Sequence, residues 1–195
     1  MADHLEIVNI VGSGKLNVEL DLAATAEDLR KQCGIKSVEH SRRRGNRLLI
    51  HFEQSGALGI LAPTGVHVIT GAGEYDEVER VNEVLFEALS SLGIISDAPP
   101  ATSEVVDEFE IKNIVSVGEI DTEPNLNLNT LVIELGLEHT EYEPEQFSGL
   151  VYRPAELSCT ILVFASGKVV LTGIQDADIA HQALDNLRER IENFT

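Results

Sequence analysis

The spacing of apolar and polar residues changes along the chain in a fixed order, and the whole order occurs twice. Residues 5–13 and 109–118 alternate with the two-residue period of strands. The spacing then predicts a short helix over Ala23–Cys33 in the first copy and over Asn129–Glu138 in the second, where the pattern is weaker. Three or four short strands follow in each copy, set apart by turns containing Gly or Pro. A longer amphipathic helix closes each. Val78, Val81, Leu85, Ala88 and Leu92 share one stripe, and Ile179, Ala183, Leu184, Leu187 and Ile191 share the other. Asp76 and Asp176 stand near the starts of these helices, where a carboxylate suits free N–H groups and the dipole. Each copy is therefore expected to be a β-α-β-β-β-β-α unit with its helices on one side of the sheet.

The opposite side is where function should lie. Residues 142–153 and 159–173 read as two hairpins whose strands are apolar on both faces. Helices can cover only one of those faces, so in a soluble protein the other must either meet a partner or pack on something further. In the last strand Val169 and Leu171 point one way, while Lys168, Val170 and Thr172 point the other. The helices are expected to cover the first set. The second set, joined by Asn113 and Val115, mixes short aliphatics, an amide and a hydroxyl. That mixture suits a shallow surface read by shape and is poor for catalysis.

Overlaying the chain on itself makes the duplication explicit. Ile7-Val8-Asn9-Ile10-Val11 matches Ile111-Lys112-Asn113-Ile114-Val115, 104 residues further on. Thr64-Gly65-Val66-His67-Val68-Ile69-Thr70-Gly71 matches Ser166-Gly167-Lys168-Val169-Val170-Leu171-Thr172-Gly173, 102 residues further on. Residues 1–95 are expected to form the first repeat and 104–195 the second, with 96–103, rich in Pro, Ala and Ser, as the linker.

Fourteen basic against thirty-three acidic residues leave a net charge of −19. In ordinary salt such a surface repels phosphates. A nucleic-acid binder with this charge needs its positive groups gathered on one face, or a milieu near 1 M salt, where the Debye length falls to about 3 Å. The second condition also accounts for the excess of Asp and Glu, and points to a halophilic source. Cys33 and Cys159 match no metal spacing and are expected to be reduced, partly buried thiols. Six scattered His residues have no ligand spacing and should be surface groups or satisfied core groups. No run reaches the roughly 18 apolar residues of a membrane span, and the start lacks the character of a signal peptide, so a cytoplasmic protein without membrane partners is expected. Gly12-Ser13-Gly14 lacks the rest of a phosphate loop, no nucleophile constellation stands out, and neither an enzyme nor a cofactor or metal site is expected.

Two strings are long enough to be specific. Glu141-Tyr142-Glu143-Pro144-Glu145-Gln146-Phe147-Ser148-Gly149-Leu150-Val151-Tyr152-Arg153 and Phe164-Ala165-Ser166-Gly167-Lys168-Val169-Val170-Leu171-Thr172-Gly173 resemble the TATA-box-binding protein family, particularly its archaeal members. The resemblance covers the whole duplicated plan and implies an α+β fold: a saddle-shaped, ten-stranded curved antiparallel sheet with four helices on its convex face. It implies a general transcription initiation factor that binds and bends the A·T-rich minor groove of double-stranded promoter DNA. Transcription factor B and the RNA polymerase preinitiation complex are the partners it implies. By position, Phe147 and Phe164 resemble the paired wedges that part a base step. Asn113 resembles the amide that bonds minor-groove acceptors. Val115, Val170 and Thr172 resemble the floor that excludes guanine's amino group. Arg153 and Lys168 resemble phosphate contacts. Glu143 and Glu145 lie in the acidic stirrup through which the family meets transcription factor B.

The first repeat departs from this pattern. Asn9, Val11, Val68 and Thr70 keep the central floor. Ala62, however, stands where Phe164 stands in the second repeat, His51 replaces Arg153, and Val66 replaces Lys168. The loop holding Arg42, Arg43, Arg44 and Arg47 stands in place of the acidic stirrup and its Phe, and Phe52 is out of register with either wedge. The first-repeat wedges are therefore expected to be lost, with the arginines available to grip phosphates or an acidic protein. Taken alone, these residues leave a second reading open, a diverged interaction protein that binds transcription factors with weak or no DNA bending.

Overall fold

The computed structural model describes residues 5–43, 45–96, 101–121 and 125–192. The first repeat runs β1 (Glu6–Leu16), α1 (Leu22–Leu29), β2 (Ile35–Ser41), β3 (Arg47–Phe52), β4 (Leu58–Leu61), β5 (Val66–Ala72) and α2 (Tyr75–Ser91). The second runs β6 (Val105–Glu119), α3 (Leu128–Leu135), β7 (Thr140–Glu141), β8 (Leu150–Tyr152), β9 (Thr160–Val163), β10 (Lys168–Ile174) and α4 (Ala177–Glu192). The expected α+β class and the β-α-β-β-β-β-α order therefore hold in both copies. The ten strands hydrogen-bond in the order β2-β3-β4-β5-β1-β6-β10-β9-β8-β7, and the neighbours within each repeat are antiparallel. By contact the chain divides into two compact units. One is Asn9–Lys112; the other joins residues up to Val8 to those from Asn113 onward.

Strand alternation works as the sequence predicts. Ile69 and Ala72 of β5 and Val169, Leu171 and Ile174 of β10 are fully buried under the helices, while Val68, Thr70, Val170 and Thr172 remain half-exposed. Val78, Val81, Leu85 and Ala88 of α2 seal one core, and Ala183, Leu184, Leu187 and Ile191 of α4 seal the other. Burying each of the Val, Leu and Ile side chains contributes about 1.5–3 kcal/mol, and the two Ala methyls less. Leu92 and Ile179, expected on those stripes, are only half-buried because they sit at the helix ends.

The two short helices end earlier than expected. Asp21 and Asn127 cap them, accepting N–H bonds from Ala23 at 2.9 Å and Asn129 at 3.1 Å. Gly136, with φ +94°, stops α3 at Leu135, and α1 unwinds after Leu29 into a turn leading to Gly34, with φ +79°. The first segment expected as a hairpin, residues 142–153, is mostly loop: only Leu150–Tyr152 is strand, because Pro144 and Gly149 interrupt pairing. The linker residues 97–100 lie outside the described residues, and Thr102–Glu104 form a single 3-10 turn.

Two further expectations are corrected. Cys33 is exposed, at the end of the turn after α1; Cys159 is buried, and burial pushes its thiol pKa up. His67 is neither a surface group nor a satisfied core group. It is 1 % exposed on the helix side of β5. Its ring stacks on Phe109 at 5.6 Å and meets Phe86 edge-on at 5.2 Å, and neither ring nitrogen has a hydrogen-bond partner. Glycines make room for this stack: a Cβ on Gly12 would lie 2.2 Å from Phe109 Cζ, and one on Gly14 would lie 2.9 Å from His67 Cε1. At the matching position the second repeat has Val169.

Candidate nucleic-acid interface

The uncovered face is organised by one backbone irregularity that occurs in each unit. Along β1 and β5, Ile10 faces Ala72 while Gly12 faces Ile69, so β5 spends three residues where β1 spends two. The extra residue is a bulge, and Gly71 at its apex has φ +91°, which a side chain would resist. The bulge frees the Gly71 N–H from the ladder, and Asn9 Oδ1 accepts it at 2.7 Å. The Thr70 hydroxyl donates to the same oxygen at 3.3 Å. In the other unit Ile114 faces Ile174 and Ser116 faces Leu171. Gly173 has φ +78° and donates to Asn113 Oδ1 at 2.7 Å, joined by the Thr172 hydroxyl at 3.3 Å.

A backbone N–H can only donate, so these bonds settle which end of each amide is oxygen. The amide nitrogen then lies on the other side of each side chain. Neither Asn9 nor Asn113 uses it within the fold among the described residues. Each half-buried Asn thus offers two oriented N–H donors beside an aliphatic floor.

Cross-strand pairing completes that floor. Val68 faces Ser13 and Ile60, and Ile60 faces Leu49. Val170 faces Val117 and Leu162, and Leu162 faces Val151. The sequence reading named Val11, Val68, Val115 and Val170 but missed these neighbours. The period-two alternation of each adjacent strand, phased to Val68 or Val170, would have found them.

In the second repeat Phe147, in the β7–β8 loop, is 41 % exposed. Half-exposed Phe164 meets it edge-on, with ring centroids 5.8 Å apart. Both rings rest over Gly149, where a Cβ would come within 2.7 Å of Phe147 Cε1 and 3.0 Å of Phe164 Cε1. Neither ring lies in the core beneath the helices. Glu143 and Glu145 are exposed on the same loop; the Glu143 carbonyl accepts the Phe147 N–H at 3.0 Å, and its carboxylate accepts a bond from the Gln146 amide. Arg153 is paired with Glu141 at 3.0 Å in an exposed ion pair, which costs at most about 1 kcal/mol to break. Lys168 is exposed and faces Glu119 across the strands.

The first repeat keeps the register and changes the residues. Leu48 faces Leu61 as Leu150 faces Val163, 102 residues later, so Phe147, Gly149 and Phe164 correspond to Gly45, Arg47 and Ala62. Strand pairing also runs two residues further, through His40 with Leu48 and Ser41 with Arg47. The closed tip carries Gly45 at φ +94° and Asn46 at φ +44°, with His40 Nε2 and Asn46 Oδ1 2.9 Å apart. Phe52 is 3 % exposed and packs on Gly59 in the core. Arg42 and Arg43 are exposed on the tip, Arg47 is half-buried, and Arg44 lies outside the described residues. Val66 does replace Lys168, but Lys15 on β1 faces it directly and restores a cation to that pair. Sequence reasoning missed Lys15 because the compensating charge comes from the neighbouring strand.

The fold and this face define the class: a tandem-repeat sheet protein with one aliphatic, amide-bearing face left bare by its helices. The family model described as "Transcription factor TFIID (or TATA-binding protein, TBP)" matches residues 4–92 and 108–194, one stretch in each repeat. TATA-box-binding protein C of Halobacterium salinarum is 36 % identical over 97 % of this chain and 98 % of its own length. TATA-box-binding protein 2 of Haloferax volcanii is 39 % identical over 98 % and 95 %. The solved structure of Methanococcus jannaschii TBP aligns with a TM-score of 0.74 and 30 % identity, over 97 % of this chain and 99 % of that one. The chain belongs to the TATA-binding protein family. The two named relatives come from halophilic archaea, in keeping with the acidic composition. Among the described residues no helix is long and apolar enough to cross a membrane.

Proposed function

We propose that the chain is a general transcription initiation factor that lies on the A·T-rich minor groove of promoter DNA, bends it and recruits transcription factor B. Residues 1–95 and 104–195 would be the two DNA-binding repeats. The observation that carries this reading is the twice-built Asn–Thr–Gly bulge, which aims amide donors outward beside a floor of small aliphatics. In the minor groove A·T and T·A both present only acceptors, adenine N3 and thymine O2, which the Asn9 and Asn113 amides match. Guanine adds an amino group, which Val11, Val68 and Thr70 or Val115, Val170 and Thr172 would leave without an acceptor.

Phe147 and Phe164 serve as the wedge. Their rings are exposed (Phe147) or half-exposed (Phe164), already paired, and supported by Gly149, so insertion needs no rearrangement of the core. Unstacking a base step costs about a few kcal/mol, which contacts made along the bent duplex offset. Arg153 and Lys168 hold phosphates, as do Arg42, Arg43, Arg44 and Arg47 in the first repeat. Glu143 and Glu145, projecting beside the wedge, form the acidic contact for transcription factor B and so for the polymerase preinitiation complex. The net charge of −19 is tolerable because molar salt screens the distant carboxylates and leaves close contacts.

The test is the double variant Phe147→Ala, Phe164→Ala on a TATA duplex in molar salt, with bending followed by fluorescence transfer between the duplex ends. Loss of both binding and bend is expected. Binding equal to the parent would remove the wedge. Capture of transcription factor B by a parent protein with no duplex affinity would instead establish the interaction-protein reading.

A further inference from the structure

We propose that the first repeat holds its share of the duplex by phosphate contacts from Arg42 and Arg43, without inserting into a base step, so that the protein wedges DNA at one place only. The proposal rests on the minor-groove reading above and extends it to the chemistry of the first-repeat tip.

Three observations converge on it. The register positions of the second-repeat rings are occupied by Gly45 and Ala62. The aromatic side chains nearby face away: Phe52 is 3 % exposed against Gly59, and Phe86 closes on His67 beneath the sheet. The tip itself also resists a wedge. Extended pairing through Ser41 and Arg47 closes it, and Gly45 holds φ +94°, a conformation in which phenylalanine would be strained. Arg47 further occupies the place of Gly149, the residue on which the second-repeat rings rest.

What the tip offers is charge. Arg42 and Arg43 are adjacent and exposed on a hairpin end fixed by the His40–Asn46 bond, and no carboxylate contacts them among the described residues. In a chain of net charge −19, two exposed guanidinium groups with no ion-pair partner among the described residues are an anion-binding feature. Guanidinium groups grip phosphate oxygens without reading sequence. The duplex would then be wedged where the second repeat lies and held electrostatically where the first lies, which gives the complex a fixed direction on a near-symmetric site.

The experiment uses the full chain and two TATA duplexes, each with 2-aminopurine at one of the two terminal base steps. The expected result is a fluorescence rise from one duplex only, lost in Phe147→Ala, Phe164→Ala. For Arg42→Ala, Arg43→Ala the rise should persist while the salt slope of the affinity flattens by roughly 1.8, at about 0.9 per phosphate contact. A melting midpoint matching the parent confirms that this exposed-residue variant is folded. A rise from both duplexes, or an unchanged slope in the arginine variant, overturns the proposal and leaves groove binding intact. Failure of the parent to bind either duplex overturns the groove reading and this proposal with it.

Discussion

The Gly173 N–H donates to Asn113 Oδ1 at 2.7 Å, and that single bond turns a strand irregularity into an oriented pair of donors. Gly71 and Asn9 repeat it at the same length. Because the amide oxygen is held inside the fold and the nitrogen is not, structure and recognition depend on opposite ends of one side chain.

Asn113→Asp separates them. The carboxylate still accepts the Gly173 N–H, so the melting midpoint should stay within a few degrees of the parent. The two donors are gone and a negative charge replaces them beside acceptor-lined DNA. Loss of one such recognition contact costs about 1–3 kcal/mol, so affinity for a TATA duplex should fall about fivefold or more in an anisotropy titration. Binding at parental strength would take the amide out of the interface.

Gly149→Ala tests the seat of the rings. The added methyl would lie 2.7 Å from Phe147 Cε1, but both rings are at the surface and can swing away. Stability should change by less than about 1 kcal/mol, while duplex affinity and bend both drop because the wedge loses its pairing. Gly12→Ala is the contrast. Its methyl would lie 2.2 Å from Phe109 Cζ on the packed side of the sheet, so it should cost about 1–3 kcal/mol in chemical denaturation.

Much of this was legible in the chain, because duplication lets one copy annotate the other. Asn9 and Asn113 occupy matching places, as do Thr70 with Gly71 and Thr172 with Gly173, and strand alternation put them on the uncovered face. The reason for the Thr-Gly pair was not legible. A bulge is a difference in count between two strands, and sequence alone does not give the pairing. Lys15 was missed for the same cause, since its partner Val66 is a neighbour only through register. The tightened turn at Gly45 and Asn46 follows from positive φ at two successive residues, of which only Gly45 was a visible cue. His67 carried no warning: within a strand it stood where a valine stands in the other copy.

The two thiols should differ sharply in reactivity. Cys33 is exposed, so a thiol reagent should modify one equivalent promptly in the folded protein. Cys159 is buried and burial pushes its pKa up, which removes both access and thiolate. It should react only at the rate of opening, giving one fast and one slow phase in mass spectrometry. Two fast phases would contradict the burial of Cys159 just before β9.

Stability should fall in mild acid, and His67 is the group to which the effect can be assigned. Its ring is sealed between Phe86 and Phe109 with both nitrogens unbonded. Burial pushes its pKa below the ordinary 6.5, a shift that the nearby Gly65 carbonyl, too poorly placed to bond the ring, only partly opposes. In the unfolded chain the imidazole takes a proton near the ordinary value. Below that pH the unfolded state therefore binds more protons than the folded state, and stability declines as pH falls, by up to about 1.4 kcal/mol per pH unit. Above it both states carry a neutral ring and the contribution is flat. His67→Val installs the residue that the second repeat uses at Val169, removing the titration while keeping an apolar side chain. Urea denaturation at pH 8 and pH 5.5 should show a smaller drop for the variant than for the parent. Acidic groups that titrate lower are common to both proteins and cancel in the difference. Equal drops would mean that His67 is protonated in place, and that the aromatic stack accommodates a buried cation.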